Sequence, residues 1–179
     1  GCASGDCGAC TAVIGELKKN KIEYRSINTC ITFLYTLNGK QLVTVENLGN
    51  GSLHPVQKAM VESDGSQCGF CTPGIVMSMY CMYENKVKPT NENIDKYLSG
   101  NLCRCTGYIP IKNSIKNMYN YKKNNSDQKD IITLLKKIKR NDIMIENNES
   151  KFFVHYNIKG LIKDYQKNKN SYLLVGGTD

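Results

Sequence analysis

The sequence has little acidic charge and no long apolar run. None of its apolar runs approaches the roughly 18 residues that a membrane-spanning helix needs, so we expect no membrane span. No secretory signal peptide is visible either, and we expect a cytoplasmic protein. The chain of 179 residues begins at Gly1 without an initiating Met and ends at Asp179 in an expected loop, so we interpret it as a fragment of a longer protein.

Acidic residues are outnumbered, with 16 Asp and Glu against 24 Lys and Arg and a formal net charge of +8. Much of the excess lies in a Lys- and Asn-rich stretch from Lys112 to Lys151. A basic balance can indicate nucleic-acid binding, but this stretch has no interleaving of arginine with aromatic residues and no Gly-rich RNA-binding motif. We therefore interpret it as a solvated linker and expect no nucleic-acid partner.

Cysteine, in contrast, is abundant, with nine residues in the chain. Disulfides would suit a small secreted domain. Nine is an odd number, however, and eight of the cysteines form two tight groups with the spacing of metal ligands. In a chain without export signals this pattern favours metal binding over disulfides. The ninth, Cys81, lies on a predicted helix face, and we expect it to be a buried packing residue.

The first thiol group has the spacing C-x4-C-x2-C followed by a distant fourth cysteine, which is typical of plant-type [2Fe–2S] ferredoxins. Gly5 and Gly8 give this loop the backbone freedom to wrap around two irons. A structural zinc site is the alternative, although zinc is usually bound by cysteines in closely spaced pairs. The first thiol group consists of Cys2, Cys7, Cys10 and Cys30.

The second thiol group combines a C-x2-C pair with a C-x-C pair, and each pair precedes a predicted helix. The free N–H groups and positive end of a helix N-terminus suit an anionic thiolate cluster. Two cysteine pairs are also a zinc pattern, so zinc stays open here, although the C-x-C pair is unusual for structural zinc. The second thiol group consists of Cys68, Cys71, Cys103 and Cys105.

Residue periodicity predicts strands before residue 52 and a helical module over residues 53–122. The predicted helices cover His54–Ser63, a segment from Thr72 and Pro73, Glu92–Leu98, and a segment after Pro110. His54 is interpreted as a helix-start residue rather than a metal ligand. Further along the chain we expect a short helix over residues 131–138, a linker over residues 141–151, a helical segment over residues 152–166, and a buried strand over residues 171–179.

Three cysteine-bearing segments resemble the iron–sulfur part of the xanthine dehydrogenase/aldehyde oxidase family of molybdenum hydroxylases. They are Gly1-Cys-Ala-Ser-Gly-Asp-Cys-Gly-Ala-Cys-Thr11, Gln67-Cys-Gly-Phe-Cys-Thr-Pro-Gly74 and Asn101-Leu-Cys-Arg-Cys-Thr-Gly-Tyr108. The final segment, Leu173-Leu-Val-Gly-Gly-Thr-Asp179, resembles the start of the FAD-binding domain of that family. Together these segments resemble the small iron–sulfur and FAD subunit of a bacterial xanthine dehydrogenase.

The resemblance implies an α+β chain with three domains and a linker. Residues 1–51 would form an N-terminally truncated ferredoxin-type [2Fe–2S] domain with a partial β-grasp fold. Residues 53–122 would form an all-helical [2Fe–2S]-binding domain, residues 123–150 a linker, and residues 151–179 the start of an α+β FAD-binding domain.

The resemblance also implies site residues. The eight cysteines of the two thiol groups would ligate two [2Fe–2S] clusters, with the second group nearer the molybdenum cofactor. Gln67 would contact the molybdopterin, and Cys105 would lie beside it. No residue of this chain is expected to be catalytic. The expected FAD contacts are Leu173, Leu174, Val175, Gly176, Gly177, Thr178 and Asp179.

The implied function is electron transfer from a molybdopterin centre, through both clusters, to FAD and then to NAD or oxygen. The molybdopterin would lie on a large partner subunit or a missing segment, and we expect a hetero-oligomer that oxidises xanthine or hypoxanthine. One alternative is a flavin-free [2Fe–2S] electron-transfer subunit of a related hydroxylase or dehydrogenase. Another is a non-enzymatic binding module stapled by zinc.

Overall fold

The computed structural model describes residues 1–49, 51–122, 128–139 and 141–177. The expected mixture of helix and strand is confirmed. The strands are β1 (Thr11–Lys18), β2 (Lys21–Asn28), β3 (Gln41–Val43), β4 (Ile143–Glu146) and β5 (Lys151–Val154). The α-helices are α1 (Pro55–Glu62), α2 (Thr72–Glu84), α3 (Asn91–Leu98), α4 (Ile109–Asn117), α5 (Gln128–Lys137) and α6 (Ile158–Lys167). No helix in these described ranges has the length and apolar character needed to span a membrane.

The N-terminal sheet is antiparallel with the strand order β2-β1-β3. A two-residue turn joins β1 to β2, and its residues Lys19 and Asn20 both have positive φ, as a type I′ hairpin requires. The central strand β1 is buried on both faces, from Ala12 to Ile14. The sheet therefore holds Thr11, and with it the preceding cysteine loop, firmly against the rest of the chain.

Helix α2 lies at the centre of the fold. Every residue from Gly74 to Met82 is buried, as expected for a helix covered on all sides. It packs against β1, α1 and α3, so the sheet and the helices share one apolar core. Its fully buried side chains, together with those of the neighbouring helices and strand, include Val13, Val56, Ile75, Met77, Met79, Met82, Ile94, Ile111, Ile115 and Met118.

The helix starts in residues 53–122 confirm the predicted helices. His54 caps α1: its Nδ1 accepts from the N–H of Val56 at 3.4 Å, and Gln57 Oε1 accepts from the N–H of His54 at 2.9 Å. At α2 the cap is Cys71, one residue before the expected Thr72. Thr90 caps α3 through its hydroxyl.

A side-chain amide at the end of α2 joins the helix to the sheet. Asn85 accepts from the N–H of Tyr24 at 3.1 Å and donates to the carbonyl of Tyr24 at 2.7 Å. These two bonds satisfy backbone groups on the outer edge of β2. In the described ranges, no other strand pairs with that edge. Helix α5 also packs on β1 and β2. The Lys-rich region, which was expected to be a solvated linker, therefore includes a packed helix.

The expected linker over residues 141–151 was wrong, because β4 and β5 form an antiparallel hairpin there. The alternation of Ile143 and Ile145 in β4 was hidden by the surrounding Lys- and Asn-rich composition. Asn147 shapes the turn by accepting from the N–H groups of Glu149 and Ser150 at 3.0 and 2.7 Å. The expected helix over residues 152–166 starts only at Ile158, since its first residues belong to β5.

The buried strand expected over residues 171–179 was also wrong for the described residues 171–177. These residues form an exposed segment, and Val175 is 93% exposed. A strand needs a neighbour for its backbone groups, and the described residues provide none beside this segment.

A buried histidine connects the hairpin to α6. The side chain of His155 is 6% exposed, and its Nδ1 lies 3.0 Å from Asp142 Oδ2 while its Nε2 lies 3.4 Å from Asp164 Oδ2. Backbone and side-chain bonds to Asp142 lower the pKa of that carboxyl group below its usual range. These contacts hold α6 against the hairpin.

Candidate metal centres

The loop of the first thiol group wraps around the sulfur of Cys2. This Sγ atom accepts from the N–H groups of Ser4, Asp6 and Cys7 at 3.3 to 3.4 Å. Positive φ angles at Ala3, Gly5 and Gly8 turn the chain so that these donors face inward. The Ser4 side chain and the three N–H groups lower the pKa of Cys2 to about 6, because they stabilise the thiolate.

The four cysteines of the first group are linked in two pairs, Cys2 with Cys7 through backbone N–H bonds to sulfur and Cys10 with Cys30 through their thiols. The N–H of Cys2 donates to Cys7 Sγ at 3.4 Å, opposite to the bond from Cys7 N–H to Cys2 Sγ. The N–H of Cys30 donates to Cys10 Sγ at 3.5 Å, and Thr29 binds the Cys10 carbonyl. Burial opposes ionisation of Cys10, but bonds from Cys30 and Thr29 lower its pKa. Contact with the Cys10 sulfur raises the pKa of Cys30.

The second thiol group also forms two pairs. The thiol of Cys68 contacts that of Cys105, and the thiol of Cys71 contacts that of Cys103. Burial raises the pKa of Cys71 to about 11. Burial also opposes ionisation of Cys103, but hydrogen bonds from the Thr106 side chain and backbone lower its pKa to about 7.

The positions of these cysteines relative to α2 and α4 agree with the sequence pattern. Cys71 is the N-cap of α2, and Cys103 and Cys105 lie in the turn before α4. Tyr108 caps α4 with a positive φ of 67°. Its hydroxyl group accepts from the N–H of Cys103 at 2.8 Å and donates to the carbonyl of Asn101 at 3.2 Å. The turn between the two cysteines and the helix is therefore closed by its own hydrogen bonds.

The pairwise arrangement fits a [2Fe–2S] cluster, in which four thiolates are shared between two irons. Three thiol–thiol contacts, Cys10 with Cys30, Cys68 with Cys105 and Cys71 with Cys103, bring together sulfurs from separate parts of the chain. Among the described residues, no group of three or more His, Cys, Asp or Glu side chains is positioned to hold a metal ion. The backbone donors at Cys2 add the hydrogen bonds to sulfur that tune such clusters.

The two thiol groups meet through a very close backbone contact. A Cβ atom at Gly74, in the first turn of α2, would overlap the carbonyl oxygen of Gly8, and a Cβ atom at Gly8 would overlap that of Gly100. The N–H of Leu102 donates to the carbonyl of Cys7 at 3.0 Å. One hydrogen bond thus connects a cysteine of the first group to the residue before Cys103.

The surface around the second thiol group is apolar and exposed. Phe70 lies between Cys68 and Cys71, Leu102 directly precedes Cys103, and Ile109 is the first residue of α4, and these side chains are 66%, 59% and 70% exposed. Gln67, the expected molybdopterin contact, is exposed next to Cys68. An exposed apolar patch beside polar residues is typical of an interaction surface.

The segment expected to contact FAD lies near the first thiol group. Gly177 approaches the ring of Phe33, three residues after Cys30, so closely that an added Cβ atom would lie 2.5 Å from its Cε2 atom. Leu173, Leu174, Val175 and Gly176 precede it in the same exposed segment. The structure thus brings residues 173–177 together, while Thr178 and Asp179 lie outside the described residues.

The C-terminal hairpin packs on the same side of the chain. The ring centroids of Tyr35 and Phe152 are 4.5 Å apart, and Asn38 donates to the hydroxyl of Tyr156 at 2.9 Å. The segment after Cys30 therefore contacts the C-terminal part of the chain at Phe152, Tyr156 and Gly177. The exposed apolar side chains described above lie instead beside the cysteines of the second group.

Sequence reasoning missed Asn101 and Ser78, which lie between the two groups. Asn101 belongs to the third cysteine-bearing segment, but the motif gives it no role of its own. The sequence does mark Ser78, because it is a hydroxyl residue within the apolar stretch that forms the buried part of α2. Local patterns do not show that both side chains meet, since the two residues are 23 positions apart.

Comparisons with known proteins agree with this geometry. Residues 44–116 match the [2Fe-2S] binding domain family. Xanthine dehydrogenase/oxidase of Mus musculus is 54% identical over 114 residues, which are 62% of this chain and 8% of that protein. Xanthine dehydrogenase of Emericella nidulans is 48% identical over 114 residues, again 62% of this chain and 8% of that protein. The chain therefore spans less than a tenth of the length of these curated relatives.

Solved structures extend the comparison. Quinoline 2-oxidoreductase from Pseudomonas putida 86 is 32% identical with a TM-score of 0.57, covering 65% of this chain and 68% of that chain. Aldehyde oxidoreductase from Desulfovibrio gigas is 34% identical with a TM-score of 0.56, covering 66% of this chain and 13% of that chain. These matches define an iron–sulfur electron-transfer region. The chain belongs to the xanthine dehydrogenase/aldehyde oxidase family of molybdenum hydroxylases.

Proposed function

We propose that the chain is the part of a molybdenum hydroxylase that passes electrons from a molybdopterin centre to FAD. The observation that carries the proposal is the pair of four-cysteine groups, which contain close thiol pairs and are joined by the Leu102 to Cys7 hydrogen bond. When bound, a [2Fe–2S] cluster in each group would supply one-electron transfer.

The first thiol group would hold one cluster and the second would hold the other. The chain's own contribution is to fix the sulfurs and to direct hydrogen bonds at them. The N–H groups around Cys2 and the Thr106 hydroxyl beside Cys103 favour the thiolate form. The domain limits at residues 51, 53 and 122 are part of the same proposal, whereas the pairing of β4 with β5 moves the expected limit at residue 151 to a point before β4.

The surfaces around the two groups support the order of the relay that the family resemblance implies. The exposed apolar side chains of Phe70, Leu102 and Ile109, together with Gln67, would face a molybdopterin-binding large subunit or segment. Gly177 lies against Phe33 near the first group, and the segment that ends there would begin the FAD-binding domain. Electrons therefore enter at the second group and leave from the first. The substrate is xanthine or hypoxanthine, as the names of the relatives suggest, and the final acceptor is NAD or oxygen.

Iron and acid-labile sulfide analysis of the protein that contains this chain tests the cluster proposal. Two [2Fe–2S] clusters predict about four iron and four sulfide per chain. Zinc without sulfide would overturn the cluster proposal and favour a zinc-stapled module. Loading of about half this amount would show that one of the two groups holds no cluster.

The flavin and substrate steps need separate measurements. Bound FAD in the protein supports the role of residues 173–179, whereas two clusters without flavin would favour a flavin-free electron-transfer subunit. Xanthine added without oxygen is expected to bleach the visible absorbance of the clusters. Full loading without any bleaching by xanthine or hypoxanthine would contradict the proposed substrates.

A further inference from the structure

A buried amide stands between the two thiol groups. Asn101 is 3% exposed and lies two residues before Cys103. Its Nδ2 donates to the carbonyl of Gly8 at 3.2 Å and to Thr11 Oγ1 at 3.1 Å, while its Oδ1 accepts from Ser78 Oγ at 2.5 Å. One side chain therefore bonds to the loop of the first group, to the first residue of β1, and to α2.

The backbone around this amide leaves no room for a different arrangement. Tyr108 holds the carbonyl of Asn101 and the N–H of Cys103, so Asn101 is fixed relative to the second group. The carbonyl of Gly8 presses against Gly74, and the carbonyl of Gly100 presses against Gly8. Without the amide, the loop of the first group would contact the second group mainly through the single bond from Leu102 to Cys7.

We propose that Asn101 is a positioning residue that sets the separation and relative orientation of the two thiol groups. A single hydrogen bond permits rotation about itself, whereas the two Nδ2 bonds of Asn101 add fixed points on either side of Cys10. A buried polar network with all its members bonded specifies one arrangement. This proposal rests on the proposed function, since it concerns the geometry between two bound clusters.

An apolar side chain of similar size would fill the same space but could not hold the Gly8 carbonyl. The Gly8 carbonyl would keep its bonds from the N–H and the hydroxyl group of Thr11, at 3.1 and 2.7 Å, but both residues would lose their bonds from Asn101. The loop could then shift together with Thr11, and this movement would displace Cys7 and Cys10. The chemistry of the amide, rather than its volume, is therefore what the position needs.

The test uses the complete holoprotein and two variants with a matched control. Asn101→Asp keeps an oxygen for Ser78 but replaces the donor to Gly8 and Thr11 by a second oxygen. Ser78→Ala removes the bond that orients the amide. The control is Ser114→Ala, because Ser114 is also a fully buried serine on a helix, and among the described residues its hydroxyl group donates within its own helix, to the carbonyl of Pro110 at 2.9 Å.

The readout is the low-temperature EPR spectrum of the fully reduced protein, in which two paramagnetic clusters split each other's signals according to their separation and orientation. We expect the splitting to shift or to be lost in Asn101→Asp and to shift in Ser78→Ala, with four iron and four sulfide retained. The g values of each cluster, recorded while the other is oxidised, stay unchanged, and Ser114→Ala keeps the wild-type splitting.

Full loading with wild-type splitting in both variants would overturn the proposal. If Asn101→Asp does not bind iron, Ser78→Ala decides: a shifted splitting supports the role of the amide, and an unchanged one refutes it. An equal shift in Ser114→Ala would also refute it, since any buried serine would then have the same effect. A wild-type protein without sulfide would instead overturn the proposed function, before any variant is compared.

Discussion

The two thiol groups contain four cysteines each, but they are built from different local structure. The first group depends on a loop in which residues with positive φ direct N–H groups at the sulfur of Cys2. The second group sits at the starts of α2 and α4, above the buried core of the helical module. The sulfur of Cys103 lies 3.1 Å from the hydroxyl oxygen of Thr106 and also takes hydrogen bonds from the backbone of Thr106 and Cys105.

The difference shows that two sets of four cysteines can be held in place by different means. Backbone conformation supports the first group, and helix packing supports the second. The loop supplies its own donors and is largely exposed, so its sulfurs are tuned locally. The helix starts are rigid because the core beneath them is filled with residues such as Met77 and Ile111. The loop of the first group and the helix start of the second group contact each other where Gly8 touches Gly74.

The largest effect is expected from removing one ligand of either group. Cys2→Ser and Cys103→Ser are each expected to abolish one of the two EPR signals of the reduced protein and to leave the other, since the groups hold separate clusters. The control is Cys81→Ser, because Cys81 is buried in α2, outside both groups. Loss of both signals, or of neither, would contradict the assignment of ligands.

A smaller effect is expected at the contact between the two designs. Gly74→Ala places a methyl group on the carbonyl of Gly8, and overpacking of this kind typically costs about 1–3 kcal/mol. Gly100→Ala is the matched control, because no atom lies within 4 Å of its added Cβ atom. We expect the control to stay within about 0.5 kcal/mol of wild type. Urea unfolding measures both, and equal midpoints would show that the contact is not tight.

Thiol titration of the metal-free protein compares the two groups directly. Cys2, with a pKa of about 6, is expected to react with iodoacetamide as pH rises through 6, and Cys103, with a pKa of about 7, one unit later. Cys71 and Cys81, both raised to about 11 by burial, are expected to react only in strongly alkaline solution. Mass spectrometry of labelled peptides gives the order, and labelling of Cys103 before Cys2 would contradict it.

Much of the site was predictable from the sequence because its signals are local. The spacing of the cysteines and the helical periods after residue 53 need no knowledge of distant residues. Pro55 and Pro73 marked the first turns of α1 and α2 for the same reason. The pairing of Cys68 with Cys105 was not predictable, because it depends on how two helix starts face each other.

The C-terminal part was less predictable for a related reason. Whether residues 152–154 form a strand depends on the partner strand β4, which lay inside an expected linker. The segment from Tyr172 to Gly177 has strand-like composition, but no described strand lies beside it. The role of Asn101 was not predictable for the same reason. The burial and the three hydrogen bonds of its side chain depend on elements that are distant in sequence.

The smallest expected effect concerns single hydroxyl groups beside the sulfurs. Ser4→Ala removes a side-chain bond to Cys2, and Thr106→Val removes the bond to Cys103, where the two atoms are 3.1 Å apart. A hydrogen bond to a thiolate stabilises the more negative, reduced cluster, so each variant is expected to lower the potential of its own cluster. The shift is expected to be tens of millivolts, where ~59 mV corresponds to a tenfold change for one electron.

Redox titration followed by EPR resolves the two clusters and makes each variant the control for the other. The Ser4→Ala variant still has three N–H donors on the Cys2 sulfur. The shift in the potential of the first cluster is therefore expected to be the smaller of the two. The Cys103 sulfur has two backbone donors, at Thr106 and Cys105, and the Thr106 hydroxyl group comes first among the bonds that lower its pKa. A larger shift for Ser4→Ala, or a shift of both clusters by either variant, would show that the two designs tune their sulfurs in the same way.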